Sequence, residues 1–511
     1  MLNFKNNKMR KIIILFIGIL AINVLFTACS KDVLETTPTD QVAAAVVTQT
    51  TGNAMAALNG IHRALYIRYG TESSGSQGRG GAGVFNMNMD AMGEDHVFNS
   101  NNYTVEYRWI LTDTPSEDTN TYKWAMFYEW IANANIIIAG IDDAVGDDDV
   151  RENVKGQALL YRAYSHFMLV QVYADRYVKG QVNSQLGVPL KTEPSTEPIA
   201  RATVEEVYNQ INADIDTAIT LLAGKSQTNK SHLSENVAKG LKARVALVQG
   251  NWDVAVQYAI VARSGYPLMD QETYRQGFST NLDQNSEFMW ASHIVEDQSN
   301  GFGNLGAYIS RNFSSAAIRA NPRSINKPLY DKISSTDVRK SLWSPDGEHA
   351  NLQDGYEISS RHSKHPYTNQ KFLTESTGVA LMDVPMMRSA EMHLIEIEAL
   401  ARDGEDGLAA QALFNLVSTR DDNYVLSTNT GQDLIDEIMV QRRIELWGEG
   451  FRFLDLKRLS LPLNRLEPGS IHDSALAGGV LEVTPEDNRW TWLIPQDEIN
   501  ANPLVVQNPS N

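Results

Sequence analysis

The sequence predicts a mostly α-helical protein, with tetratricopeptide-like helical pairs, a loop-rich insertion region and a few short strands. Two predicted pairs, Ser234–Gln249 with Asn251–Ser264 and Pro385–Arg402 with Leu408–Arg420, are each joined by a short turn containing glycine. Repeated helical pairs are typical of solenoid arrays. No strict 34-residue period is visible, so the predicted array is degenerate. Between the pairs, residues 271–380 are rich in loop-forming residues, with one strand candidate at Glu287–Ile294.

The first 28 residues form a predicted lipoprotein signal peptide. A basic segment precedes the apolar run Ile12–Ile22, and Phe26-Thr27-Ala28 leads into Cys29, the only cysteine of the chain. The run is too short for a membrane span, which needs about 20 apolar residues. The segment resembles a bacterial lipobox, which implies cleavage before Cys29 and lipidation of its thiol. A plain secretory signal with a chance cysteine is the alternative.

Helical periodicity of apolar residues then places four helices in the N-terminal half. A glycine- and serine-rich loop at residues 70–83 follows the first of them, and residues 86–108 show no regular period. Thr203 and Glu206 have the spacing of a capping box at the start of the fourth helix. The predicted helices are Ala43–Arg63, Tyr122–Ile141, Val150–Tyr173 and Thr203–Leu222.

Near the C-terminus, two short amphipathic segments meet at a predicted glycine corner, Gly448–Gly450. A helix is expected to enter from about Asp433. The spacing predicts that Arg442 pairs with Glu445 and that Arg452 pairs with Asp455, each across one helical turn. We expect these charge pairs to be partly buried at the bend.

This corner resembles the signature R-R-x-E-L-x-x-E-G-x-R-x-x-D-L-x-R of the SusD/RagB family. The resemblance also covers Gln157–Asp175, Met387–Ala399 and the tail, where Leu493–Asn508 fits the closing pattern I-P-x-x-E-I-x-x-N-P. The residues that match the first signature are Arg442, Arg443, Glu445, Leu446, Glu449, Gly450, Arg452, Asp455, Leu456 and Arg458.

The resemblance implies a lipid-anchored protein on the outer-membrane surface of a Gram-negative bacterium, without catalytic activity. Members of this family capture nutrients, mostly glycans, for a SusC-like TonB-dependent transporter, which is the expected partner. A peptide-binding member and, further away, a glycan hydrolase are the alternatives. The predicted divisions are a signal peptide (1–28), a tether (29–45), an N-terminal helical region (46–270), a variable region (271–380) and a C-terminal helical region (381–511).

Two regions combine aromatic rings with amide and charged groups, as a sugar-binding surface requires. The resemblance implies ligand binding in loops after the first helix and in the insertion before the last helical pair, where these regions lie. Packing in the core is the alternative for each ring. The candidate ligand-binding residues are Asp95, Phe98, Asn99 and Tyr103 in the first region, and Phe302, Asn304, Tyr308, Arg311 and Trp343 in the second.

The sequence gives little support for nucleic-acid binding, for a bound cofactor or for a metal site. The net charge of −18 argues against a nucleic-acid partner. The glycine motif Gly78–Gly83 follows no strand, so no dinucleotide cofactor is expected. His362 and His365 lack partners at metal-ligand spacing, and the acidic segment Asp142–Asp149 fits a solvated connector better than a calcium loop. We predict no catalytic residue, no cofactor and no metal site.

We expect the Cys29→Ala variant to lose its membrane attachment, or to keep an uncleaved signal, because the thiol that would carry the lipid is gone. Fractionation of cells followed by immunoblotting measures this. A variant that is processed normally and still fractionates with the outer membrane would contradict the lipoprotein assignment.

Overall fold

The computed structural model describes residues 44–66, 79–276, 278–280, 282–298 and 303–510. The chain divides into two units, Met1–Val47 and Thr48–Asn511. In the first unit the described part is one helical turn, α1 (Ala44–Val47). Over the described ranges, each helix is too short or too polar to cross a bilayer. Cys29 lies outside the described residues.

Helices dominate the second unit, which confirms the predicted mostly α-helical class. Among the described residues, short 3-10 segments lie between them at Ile110–Thr112, Ile141–Asp143, Glu296–Gln298, Val338–Leu342 and Asn488–Trp490. The helices are α2 (Thr51–Ala64), α3 (Gly81–Ala91), α4 (Asp118–Gly140), α5 (Asp148–Tyr173), α6 (Val204–Leu222), α7 (Glu235–Gln249), α8 (Trp252–Ala262), α9 (Gln271–Arg275), α10 (Gly306–Ile309), α11 (Ala316–Ala320), α12 (Lys327–Asp331), α13 (Ser389–Arg402), α14 (Asp406–Val417), α15 (Gly431–Glu445), α16 (Arg452–Arg458) and α17 (Gln496–Ala501).

Many helices that follow one another in the chain pack as pairs, as predicted. The long helix α5 lies between α4 and α6, α7 packs on α8, and α13 packs on α8, α14 and α15. Thr203 and Glu206 form the predicted capping box at the start of α6. Gly250 ends α7 in the left-handed conformation, with φ 72°, which lets α8 turn back immediately.

Short antiparallel strands connect the helical pairs, and one four-stranded sheet has the order β1-β5-β7-β6. The predicted strand at 287–294 contains β4, which pairs with β8. The strands are β1 (His96–Phe98), β2 (Leu186–Pro189), β3 (Arg201–Thr203), β4 (Phe288–Ser292), β5 (Arg323–Ile325), β6 (Trp343–Ser344), β7 (Thr368–Asn369), β8 (Val384–Arg388), β9 (Leu463–Asn464) and β10 (Glu482–Val483).

Three stretches differ from their prediction. The predicted helix Ala43–Arg63 consists of two helices, α1 (Ala44–Val47) and α2 (Thr51–Ala64). Helix α3 (Gly81–Ala91) starts in the predicted loop, and all of its residues except Asn86 are buried. A helix buried on every side carries no amphipathic period, so its sequence pattern gave no helical signal. The predicted helix Pro385–Arg402 begins as strand β8 and becomes helical only at Ser389. The divisions at residues 270 and 380 stay predictions.

A buried network of charges joins the C-terminal half. The Arg388 guanidinium, 1% exposed, donates hydrogen bonds to the carboxylates of Glu287 and Glu445 at 2.7 Å and of Glu449 at 2.8 Å. Arg420 donates to Glu287 at 3.0 Å and to Glu445 at 3.1 Å. Arg339 and Lys371 add further cations to the same carboxylates. Such ions are stable inside a protein only when each is paired and hydrogen-bonded.

The charge pairs at the glycine corner differ from the prediction. Asp455 is buried, but it accepts from Arg442 and Arg458 at 2.8 Å, whereas Arg452 donates to Glu94 at 3.0 Å. The predicted pairs of Arg452 with Asp455 and of Arg442 with Glu445 are therefore wrong. Arg442 of α15 instead bonds Asp455 of α16, and Arg452 of α16 bonds Glu94, which follows α3. Sequence spacing shows only the partners within one helix.

The corner requires its second glycine. Gly450 has φ 98°, and a Cβ there would lie 2.6 Å from the Cβ of Asn86 on α3. Its N–H donates to the carboxylate of Asp90 at 3.0 Å. A side chain at position 450 would separate the corner from α3.

We expect Arg388→Ala to lower the free energy of unfolding by about 3–5 kcal/mol, because it leaves buried carboxylates without their cation. The control Lys364→Ala removes one partner of an exposed ion pair with Glu348, and should cost less than about 1 kcal/mol. Chemical denaturation of both variants measures the difference. Equal, small losses would show that the network contributes little.

Stability should fall on acidification below about pH 4, the usual range of glutamate. Burial alone would raise the pKa of Glu445, but Arg420, Arg388 and Arg339 hold it well below its usual value. A carboxyl with a lowered folded-state pKa contributes stability that is lost as pH falls toward that pKa. Urea midpoints measured from pH 7 to pH 3 test this; a midpoint that rises steadily toward pH 3 would contradict it.

Candidate functional site

Three segments meet beside the four-stranded sheet, and we name residues 99–103, 321–324 and 366–367 together the loop cluster. The Asn321 side chain accepts from the N–H groups of Asn99 and Ser100 and donates to the carbonyl of Asn102 at 2.8 Å. Asn99 donates to the hydroxyl of Ser324 at 2.9 Å, and that hydroxyl donates to the carbonyl of Pro366. These bonds fix the three segments to one another.

Half-buried tyrosine rings border the loop cluster. The ring of Tyr103 lies edge-on to Tyr308 with centroids 5.3 Å apart, and Tyr367 lies 5.0 Å from Tyr330 of α12. Tyr103 and Tyr367 both have φ 58°, in the left-handed region that non-glycine residues avoid. Holding a residue there costs about 1–3 kcal/mol and requires support from its surroundings. The bonds of the loop cluster supply that support.

Beneath the loop cluster, buried side chains of the four-stranded sheet pack on one another. Phe98 is buried and stacks on Tyr107 with centroids 4.7 Å apart. The Arg323 guanidinium lies 3.6 Å from the centre of the Phe98 ring, and its Nε donates to the carbonyl of Tyr308 at 3.1 Å. Burial lowers the pKa of Arg323 to about 9. A charged group so deeply buried beside aromatic faces fixes the sheet from below.

Several residues that the sequence assigns to ligand binding are buried. Phe98, Tyr308 and Trp343 are each at most 2% exposed, and Trp343 packs edge-on against Trp447 with centroids 4.6 Å apart. An aromatic ring with no accessible face cannot stack on a ligand, so the assignment of these three rings as exposed platforms is wrong in this conformation. Phe98 and Trp343 lie on very short strands and Tyr308 on a helix of four residues, so no periodic pattern revealed their burial.

The polar candidates divide between core and surface. Asp95 is buried and its carboxylate pairs with Arg443 at 2.5 Å. Asn304 and Arg311 are both buried. The guanidinium of Arg311 forms hydrogen bonds with the imidazole rings of His349 and His362, at 2.8 and 2.7 Å. Phe302 lies outside the described residues. Of the candidates, Asn99 and Tyr103 are half-buried in the loop cluster.

Two residues of this surface, Tyr330 and Tyr367, were not assigned from the sequence. Tyr367 lies in the loop-rich region directly before Thr368 and Asn369, the kind of aromatic and amide mixture that singled out the other candidates. Tyr330 lies on a five-residue helix whose pattern is too short to show a face. The Nζ atom of Lys340 lies 4.7 Å from its ring centre and holds it in place.

The chemistry of this surface is that of non-covalent binding. Half-exposed rings can stack on the apolar face of a cyclic ligand, and the exposed Asn101 and Asn102 can hydrogen-bond its rim. A cleft of about 1000 Å³ elsewhere is lined by Asp175, Lys457 and Trp490. The indole of Trp490 is only 5% exposed, so this cleft offers little aromatic surface for stacking.

Two family models match the chain. One, SusD-like and described as "Starch-binding associating with outer membrane", matches residues 55–247. The other, SusD_RagB, described as the SusD family, matches residues 331–510. Among curated proteins, the SusD-like protein P25 of Formosa agariphila is 23% identical over 195 residues. That match covers 36% of this chain and 34% of the relative, so it spans about a third of the relative's length.

Solved structures share the fold over most of the chain. A SusD superfamily protein of Bacteroides thetaiotaomicron is 25% identical, with a TM-score of 0.74, and covers 90% of this chain and 100% of its own. A SusD-like carbohydrate-binding protein of Bacteroides vulgatus is 24% identical, with a TM-score of 0.75, covering 89% and 97%. The second likeness shows the fold alone.

We expect Phe98→Ala and Trp343→Ala each to lower the free energy of unfolding by about 3–5 kcal/mol, because each empties a buried aromatic site. The matched control Tyr258→Ala removes a half-buried ring on the helical surface of α8 and should cost about 1 kcal/mol or less. Thermal and chemical denaturation measure the losses. Unaltered stability in the first two variants would mean that their rings are not packing residues.

Proposed function

This chain belongs to the SusD/RagB family, and we propose that it is a cell-surface binding protein for glycans. In this proposal it captures an oligosaccharide or polysaccharide and passes it to a SusC-like TonB-dependent transporter. The observation that carries the proposal is the tyrosine and asparagine surface at the loop cluster.

The geometry of this surface suits a pyranose ring. Tyr103 and Tyr367 are presented by left-handed backbone positions that the loop cluster stabilises, so little ordering remains for the ligand to impose. The apolar C–H face of a sugar can pack on such a ring, and Asn101 and Asn102 can bond its hydroxyl groups. The similar B. vulgatus protein is itself described as carbohydrate-binding.

A surface of this size supports weak binding. Two or three stacking rings with a few amide contacts correspond to micromolar to millimolar dissociation constants, about −8 to −4 kcal/mol. Weak binding favours transfer, because a ligand that dissociates quickly can move on to a transporter.

Attachment to the outer membrane is part of the same proposal. The matched family description includes association with the outer membrane. We propose that lipidated Cys29 supplies the anchor and that residues 29–45 form the tether. In the proposal this places the binding surface outside the cell, next to the transporter.

We propose binding without catalysis. Hydrolysis of a glycosidic bond uses two carboxyl groups on opposite sides of that bond. Near the proposed surface, the Asp95 carboxylate is buried against Arg443 and that of Asp331 pairs with Lys327. Both acids are therefore engaged within the protein. Incubation with a bound polysaccharide should release no new reducing ends.

We expect Tyr367→Ala and Tyr103→Ala to weaken glycan binding by 5- to 150-fold, about 1–3 kcal/mol, by analogy with base stacking on aromatic side chains. An array of immobilised glycans identifies the ligand, and calorimetry with that glycan measures the affinity. The control Tyr258→Ala should bind normally, and all three variants should melt close to the parent protein.

Two outcomes would contradict the proposal. Binding to a peptide panel but to no glycan would indicate the peptide-binding alternative. Unchanged glycan affinity in both loop-cluster variants would move the site away from this surface. Co-purification with an outer-membrane transporter from the native organism tests the proposed partner separately.

A further inference from the structure

Three potential metal ligands converge where β4 ends and β8 begins. His293 directly follows β4, Asp383 directly precedes β8, and Asp283 lies in the segment before β4. One ligand atom from each residue lies within 4.8 Å of the others. Asp283 and His293 lie near each other in the chain, but Asp383 follows His293 by 90 residues, so their spacing predicted no metal site.

The three ligand atoms lie close to the separations of a coordination shell. His293 Nδ1 lies 3.1 Å from Oδ1 and 3.2 Å from Oδ2 of Asp383, and 3.9 Å from Oδ1 of Asp283. A tetrahedral zinc ion with bonds of about 2.0–2.2 Å separates its ligand atoms by about 3.3–3.6 Å. The His293–Asp383 pair is already near this range, and Asp283 would have to move inward to complete the shell.

The ligand groups are held in advance. The Asp383 side chain is fully buried, and its two oxygens accept from the N–H groups of Leu282 and Ile294 at 2.9 and 3.0 Å. Metal ligands are commonly oriented by hydrogen bonds of this kind. Leu282 precedes Asp283 and Ile294 follows His293. These two hydrogen bonds to Asp383 therefore also fix the backbone beside the other two ligands.

Asp283 provides the second observation. Its side chain is 28% exposed, but its Oδ1 atom is inaccessible to solvent and, among the described residues, has no hydrogen-bond partner. The distance of 3.9 Å to His293 is too long for a hydrogen bond. A carboxylate oxygen shielded from water without a donor is costly, and a cation at the centre of the three residues would compensate it.

We propose that Asp283, His293 and Asp383 bind a divalent transition-metal ion of the zinc type. The imidazole nitrogen favours such an ion over calcium or magnesium, which prefer oxygen ligands. Two carboxylates balance its charge. The His293 side chain is 34% exposed and lines an open cleft with Ser231 and His232, so a water molecule can take the fourth position.

The ion would close one end of a strand pair. In the β4–β8 pair, Ser292 lies opposite Val384 at the metal end, and Phe288 lies opposite Arg388 at the other. Arg388 belongs to the buried charge network, so the pair would be held by ions at both ends. Metal binding should therefore stabilise the folded chain. This inference does not depend on the proposed function.

The alternative is a plain hydrogen-bonded pair of His293 with Asp383. That arrangement accounts for the contact with Asp383 but leaves Oδ1 of Asp283 without a donor. The two differ in a measurable way, since only a metal site that uses all three residues binds one Zn²⁺ per chain and loses it when either Asp283 or His293 is replaced.

The test is a calorimetric titration of the full chain, stripped of metal with a chelator, with Zn²⁺ alone. We expect one ion per chain, a higher melting temperature with Zn²⁺, and a visible absorption band when Co²⁺ is used instead. Asp283→Asn and His293→Gln should weaken Zn²⁺ binding about tenfold or more, since even outer ligand partners have effects of this size.

The matched control is His232→Gln, which removes an imidazole from the same cleft but not from the three-residue cluster. It should bind Zn²⁺ like the parent protein. The proposal is overturned if the parent protein does not bind Zn²⁺, or if His293→Gln binds it normally. It is also overturned if only His232→Gln loses affinity. Melting curves without metal verify that every variant is folded.

Discussion

The structure depends on a constraint of electrostatics: a charge removed from water must meet an opposite charge. Glu445 of α15 is fully buried, and the guanidinium groups of Arg388 and Arg420 bring β8 and the segment after α14 to it. Glu287, before β4, accepts from both arginines. Elements distant in sequence therefore share one set of ion pairs, and none can move without leaving a buried ion unpaired.

The same network supports the proposed binding surface. Beside Glu445, Trp447 donates its indole N–H to the carbonyl of Asp95 at 2.9 Å and stacks on His96 with centroids 4.6 Å apart. His96 begins β1 and Asp95 directly precedes it, and the segment after β1 belongs to the loop cluster. Residues of the glycine corner are thus connected to the proposed binding surface through the sheet that carries it.

Aromatic residues divide into two functional groups. Phe98, Tyr308 and Trp343 are enclosed and serve packing, whereas Tyr103 and Tyr367 keep part of their rings in solvent. The exposed group carries the backbone strain, with φ 58° at both residues. Strain of this kind persists only where the surrounding structure holds it, and it commonly occurs at binding sites. Packed, buried rings therefore lie beneath strained, accessible ones at the proposed surface.

The sequence by itself determined the helical class, the α7–α8 pair, the α6 capping box and the family signature, because these depend on local periodicity and on residues close in the chain. It did not reveal α3, whose burial on all sides removes the amphipathic signal. Only the tertiary structure decided which charge meets which: Arg452 reaches Glu94 rather than Asp455. It also separated accessible rings from buried ones, and brought Asp283, His293 and Asp383 together. Ion pairing, burial and ligand geometry depend on distances between elements remote in sequence, which no local pattern records.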